Sequence, residues 1–130
     1  MTRRIAIVGS GPAGCYAAER LAREADCEVD VLERLPTPFG LVRAGVAPDH
    51  QSTKAIARVL ERALARPNVR FFGHVEVGCD VRLAELRALY DAVVLATGAT
   101  ADRRLACPGV DLPGIVGSGE LVFWLNAHPD

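Results

Sequence analysis

The sequence lacks an excess of charge of either sign. With 15 Lys and Arg against 16 Asp and Glu, its formal net charge is -1, which offers nucleic acid or an anionic membrane no long-range attraction. No apolar run approaches the ~20 residues that span a bilayer. The N-terminus enters a strand pattern directly, without an apolar signal segment and cleavage site, so a cytoplasmic location is expected. The four cysteines, Cys15, Cys27, Cys79 and Cys107, form no C-x-x-C pair and have no His at metal-ligand spacing. They read as free thiols, packed or half-buried, and no metal site is expected. Internal repeats, low-complexity tracts and an internal linker are also missing, so the 130 residues read as one domain. With 50% hydrophobic and 24% charged residues the chain is globular rather than disordered.

Strands and helices alternate along the chain. Residues 4–8 (RIAIV) read as a short buried strand. Residues 12–24 read as a helix, with Ala17, Ala18, Leu21 and Ala22 on one face and Glu19, Arg20, Arg23 and Glu24 outward. Residues 28–32 (EVDVL) alternate as a second strand. Residues 36–50 carry three prolines and two glycines and no period, which predicts a long loop. Its Phe39, Leu41, Val42 and Val46 are too apolar for disorder and predict packing. Residues 52–66 read as an amphipathic helix N-capped by Ser52, with Ile56, Val59, Leu60, Ala63 and Leu64 toward the core. Residues 69–72 and 74–77 read as strands broken at Gly73, 82–89 as a short helix, and 91–96 (DAVVLA) as a continuous apolar, buried strand. A last helix falls near 118–126. Strand–helix–strand units of this size predict a Rossmann-like, doubly wound parallel α/β sheet with the first, second and last strands adjacent.

The chemistry centres on GSGPAG at residues 9–14, a G-x-G-x-x-G directly after the first strand. Gly9 permits the tight turn, Gly11 lets a pyrophosphate approach the backbone, and Gly14 lets helix and strand pack closely. Ser10 and Ala13 belong to the same turn. Pro12 suits the first helical turn, where its missing N–H costs little. The pyrophosphate then meets the free N–H groups and dipole of the helix N-terminus. Glu33 lies 19 residues after Gly14, where a carboxylate meets ribose hydroxyls. It would repel a 2′-phosphate, which favours FAD or NAD over NADP, and Arg34 beside it could blunt that repulsion. Ala96, Thr97 and Gly98 end the last strand and bring a second backbone segment toward the same site.

The stretch LPTPFGLVRAGVAPDHQSTK, residues 35–54, closely resembles the adrenodoxin reductase-like ferredoxin–NADP reductases. The closing stretch LPGIVGSGELVFWLNAHPD, residues 112–130, is similar to the region where that family's first FAD segment meets its NADP domain. The resemblance implies an FAD site of the glutathione reductase type, with electrons passing between NADPH and a ferredoxin-type iron–sulfur protein. It implies that Gly9 to Gly14 surround the pyrophosphate and that Glu33 binds the adenosine ribose. Leu41 and Val42 would lie on the flavin side, with Gly45 and Val46 close behind. Val77 would touch the adenine end through its backbone, and Ala96, Thr97 and Gly98 would close the site. His50 matches a family histidine near flavin and nicotinamide. Its role would be hydrogen bonding and orientation, because hydride transfer needs no protein nucleophile. His74 and His128 read as strand and surface residues, and Trp124 as a packing residue.

The family's enzymes are longer. Residues 1–130 correspond to the N-terminal FAD segment, with no second G-x-G-x-x-G/A and no arginine cluster for a 2′-phosphate. An NADP domain is expected to be absent from these residues, the FAD domain to be incomplete, NADPH to act only through parts outside them, and activity to depend on those parts. The segment reads as an isolated piece, a truncated gene product or half of a split enzyme whose partner chain supplies the NADP domain. Two further readings stay open: a free-standing FAD- or NAD-binding module serving a partner, and an NAD-binding domain of another class. Apolar surface left uncovered predicts self-association.

Overall fold

The computed structural model describes residues 1–99 and 101–129; Thr100 and Asp130 lie outside the described residues. Among the described residues, four strands pair: β1 (Arg3–Val8), β2 (Cys27–Glu33), β3 (Val69–Gly73) and β4 (Ala92–Leu95). They form one sheet in the order β3-β2-β1-β4, and every pairing is parallel. The first, second and last strands are therefore adjacent, as the strand–helix alternation predicts. β1 lies between two neighbours, so its Ala6, Ile7 and Val8 are buried on both faces.

Helices cover both faces. α1 (Pro12–Leu21) lays Ala18 and the following Ala22 over Ile7, Val29 and Val31. α5 (Leu83–Leu89) closes the opposite face, where Leu86 packs on Ala6, Val8 and Leu32. A third cluster sits outside α1. There Cys15 meets Phe39 and Val42 from the long loop, and Leu60 and Ala63 from α4 (Ala57–Leu64). Phe39 and Val42 of the loop are packed, as their apolar character predicts, whereas Leu41 is half exposed.

Several local readings are corrected. The 36–50 loop contains a one-turn helix, α2 (Leu41–Ala44). The helix expected over 52–66 is two pieces, α3 (Gln51–Lys54) and α4, and His50 rather than Ser52 holds the N-cap position. Between them the amides of Ile56, Arg58 and Val59 donate to carbonyls three residues back, a tightened turn that interrupts the α ladder. Leu60 and Ala63 centre the buried face, which turns Val59 outward. α1 ends three residues earlier than expected, capped at Ala22. Residues 74–77 make no ladder strand, only an isolated bridge between Val77 and Val81. His74, at φ 59, is where the chain leaves the sheet. β4 is an edge strand rather than a buried one, and its Leu95 is exposed.

The last helix, α6 (Ser118–Leu125), buries no residue. Its N-terminus is capped from a distance: Asp102 Oδ2 accepts from the Gly119 amide at 2.9 Å. A Cβ at Gly117 or Gly119 would strike that carboxylate, so the G-S-G spacing makes room for the cap.

One buried acid ties the sheet to its cover. Asp30, 2% exposed on β2, accepts two hydrogen bonds from Arg70, each 2.7 Å, and one from the Tyr90 hydroxyl at 2.7 Å. Burial alone would raise its pKa. The hydrogen bonds from Arg70 and Tyr90, with the Arg70 and Arg4 charges, outweigh that and hold the carboxyl below its ordinary range. A lowered folded pKa contributes stability that is present above the unfolded value of ~3.9 and is lost as pH falls through the folded value. Acid unfolding should therefore begin below about pH 4, and Asp30→Asn should flatten that limb of a circular-dichroism pH titration. An unchanged acid limb in the variant would exclude this role.

Candidate functional site

The carboxyl ends of β1, β2 and β4 open onto a cleft of ≈ 730 Å³. That volume falls within the roughly 300–1,000 Å³ typical of ligand and cofactor sites. Its floor is the glycine turn. Gly9 takes φ 106, and a Cβ there would drive into the Ala96 carbonyl. The end of β4 therefore crosses directly over the turn, and the Ala96 amide continues the ladder to Val8 O at 2.8 Å. A Cβ at Gly14 would strike the Gly9 carbonyl, so that glycine sets how closely α1 approaches β1.

Gly11 differs from both. Its φ of -68° and ψ of -175° are open to any residue, and a Cβ there would meet nothing within 4 Å. Neither backbone conformation nor protein packing asks for glycine. What a side chain would fill is the cleft itself, in front of the N-terminus of α1. That terminus has no side-chain cap, no acidic residue in its first turn, and Pro12 at its start. An open, uncapped N-terminus beside a missing side chain suits a pyrophosphate.

Glu33 closes the other side. Its Oε2 accepts from the Ser10 amide at 2.9 Å and the Ser10 hydroxyl at 2.6 Å. Its Oε1 accepts from the Leu35 amide at 3.0 Å and keeps further acceptor capacity, and Glu33 lines the cleft. Glu33 thus braces the glycine turn as well as lining the cleft. The motif spacing gave no signal of that second task. Ser10 is fully buried beneath the turn and serves the site through Glu33. Cys15 below it donates to the Ser10 carbonyl at 3.2 Å. Burial, aided by the Glu33 charge, pushes the Cys15 thiol up to about 11, so it is a packing group and not a nucleophile.

Gly9, Gly11, Pro12, Ala13, Glu33, Arg34, Leu41, Val77, Ala96, Thr97 and Gly98 all line the cleft. Ser10, Gly14 and Val42 are buried behind it, and Gly45 and Val46 stand just beyond α2 outside the lining. His50 stands apart at the exposed N-cap of α3, its Nδ1 3.5 Å from Asp49. The cleft also recruits residues that local patterns did not mark. Val75 shares a face with Val77. Gly40 comes so close that a Cβ there would sit 3.2 Å from the Gly11 Cα. Phe123 and His128 form a wall, their rings stacked 4.5 Å apart. His128 is thus a cleft residue rather than a plain surface one, and Trp124 points outward, 77% exposed, instead of packing. Among the described residues no group of acidic, His and Cys side chains could hold a metal. The four cysteines are unpaired. Among the described residues no helix is long and apolar enough to cross a membrane.

The model of one protein family, described as pyridine nucleotide-disulphide oxidoreductase, matches residues 3–122. The chain belongs to that family. Within it, the chain is 51% identical over 132 residues to the NADPH-ferredoxin reductase FprA of Mycobacterium leprae, covering 97% of this chain and 29% of that protein. It is 49% identical over 127 residues to the mitochondrial NADPH:adrenodoxin oxidoreductase of Arabidopsis thaliana, covering 97% of this chain and 26% of that protein. The solved structure of Mycobacterium tuberculosis FprA in complex with NADPH superimposes with a TM-score of 0.92 at 48% identity, over 98% of this chain and 30% of that one. The expected kinship with the ferredoxin–NADP and adrenodoxin reductases, and the Rossmann-like fold, therefore hold. The chain spans under a third of the length of these relatives.

Proposed function

We propose that this chain is the FAD-binding portion of a ferredoxin- or adrenodoxin-type NADP reductase. The observation that carries the reading is Gly11: a glycine required by nothing in the protein, facing the cleft at an uncapped helix N-terminus. Gly9 to Gly14 hold the pyrophosphate, with amide donors and the helix dipole against its charge. Glu33 takes a ribose hydroxyl of the adenosine half through Oε1, and Val77 borders the adenine. Leu41, Ala96, Thr97 and Gly98 border the flavin half. Val42, Gly45 and Val46 support the Leu41 segment from behind. Arg34 contributes positive charge at the cleft. His50 orients the nicotinamide of NADPH, which the NADP domain of the longer protein presents. Bound FAD supplies the hydride and single-electron chemistry that links NADPH to a ferredoxin-type iron–sulfur protein. Catalysis in this reading requires the NADP domain, from the same chain or a partner, and proceeds in the cytoplasm.

A visible absorption spectrum taken after incubation with FAD and desalting tests this. Retained flavin bands are the expected result. Binding of NAD with rejection of FAD would replace the reading with an NAD-binding module.

The uncovered surface has its own consequence. Leu95 on the edge strand, Leu105, Leu112 and Trp124 are all large, apolar and exposed. Surface of this kind associates in water, so the isolated chain should sediment as concentration-dependent oligomers and bind a hydrophobic dye. A strictly monomeric, dye-free chain would show that this surface is not adhesive.

A further inference from the structure

α6 buries no side chain of its own, yet it supplies one wall of the cleft through Phe123 and the following His128. What sets its distance from the opposite wall is Asn126, at its C-terminal end. The Asn126 Nδ2 lies 3.1 Å from the Ala44 carbonyl, 3.0 Å from that of Val46 and 2.9 Å from that of Val122. Its Oδ1 accepts from Lys54 Nζ at 2.7 Å, and the same ammonium donates to the Arg43 carbonyl at 2.9 Å. Arg43 and Ala44 end α2, a single turn whose last carbonyls have no helical partner of their own, and Val46 lies two residues beyond it. Two side chains from elsewhere satisfy them. One comes from α3, and the other comes 82 residues on from Ala44.

α2 carries Leu41 and Ala44 into the cleft, and α6 carries Phe123 and His128 in from the other side. The Asn126–Lys54 bridge is thus a strut across one end of the cleft. Glu33, at the end of β2, and Val77, beyond β3, take no part in the bridge. We infer that Asn126, with Lys54, is a positioning residue for the flavin half of FAD: it fixes the spacing of the α2 and α6 walls and leaves the adenosine pyrophosphate half untouched. The inference rests on the FAD reading above. Its signature is selectivity, because loss of the strut loosens one end of a two-ended ligand.

Parallel fluorescence titrations of the 130-residue chain with FAD, and calorimetric titrations with ADP, test it. ADP reports the pyrophosphate and ribose contacts alone. Asn126→Ala should weaken FAD about tenfold, the equivalent of one or two hydrogen bonds, shift the bound flavin absorption band, and leave ADP affinity within about twofold. Lys54→Met removes the donations to Arg43 and to Asn126, should act in the same direction, and serves if Asn126→Ala does not hold its fold by circular dichroism. Lys54→Arg keeps a donor and should restore much of the affinity. Equal FAD affinity and an unshifted band in both loss variants, or parallel loss of FAD and ADP, would overturn the strut. A wild-type chain that binds ADP but not FAD, or neither, would overturn the FAD reading itself.

Discussion

Gly11→Val should fold normally and lose FAD. A Cβ at position 11 meets no protein atom within 4 Å, and the backbone there is extended, so neither the backbone nor the first side-chain carbon opposes the substitution in the free chain. Valine is a poorer N-cap than glycine, which costs about 1 kcal/mol at most. The added methyls occupy the place of the pyrophosphate, and the amide donors of α1 can no longer reach it. A loss of at least about 100-fold in FAD affinity is expected, the scale of removing several charge-assisted hydrogen bonds. Gly14→Val is the control with the opposite outcome. Its side chain collides with the Gly9 carbonyl inside the contact between α1 and β1, so the fold itself should fail. Circular dichroism with FAD fluorescence titration separates the two. Unchanged FAD affinity in Gly11→Val would remove the pyrophosphate from this turn.

Glu33→Ala should damage stability and binding together. The carboxylate accepts three hydrogen bonds, two of them from Ser10, which is fully buried. Truncation leaves a buried amide and a buried hydroxyl without an acceptor, at a cost of about 3 kcal/mol, a sizeable part of the ~5–15 kcal/mol that holds a domain together. The melting temperature should fall by roughly 10 °C. FAD affinity should fall as well, because Ser10 stands between Gly9 and Gly11 and the turn loses its anchor. Glu33→Gln keeps the volume and one acceptor oxygen but sets its amide nitrogen against either the Ser10 donors or the Leu35 amide, so it should fall between wild type and alanine. Thermal melts of the three proteins check the order. A melting temperature of Glu33→Ala within about 2 °C of wild type would mean that the carboxylate serves only the ligand.

The uneven legibility of this chain follows from the range of the forces involved. Features set by a few neighbouring residues were readable in sequence. The apolar run of β1 and the alternation of β2 commit to strands because pattern and β-branching decide locally. Gly9, Gly11, Pro12 and Gly14 announce the turn because each role depends on a missing side chain or a fixed φ, and both are properties of the residue itself. The family was legible because the 35–54 stretch is long and specific.

Tertiary structure decided what depends on distant partners. Whether residues 52–66 run as one helix was settled by a tightened turn between Lys54 and Ala57, with Lys54 held by Arg43 and Asn126, and periodicity within the segment carries no trace of those contacts. Whether 91–96 is buried depended on its place at the sheet edge, which a run of apolar residues does not encode. The second task of Glu33, the wall made by Phe123 and His128, and the Asn126 strut all join residues far apart in sequence. The sequence alone determined the four strands that pair and the glycine turn that follows β1, but not that 74–77 would leave the sheet. Only the folded sheet, by bringing its carboxyl ends and α6 around one cleft, decided which side chains share that site.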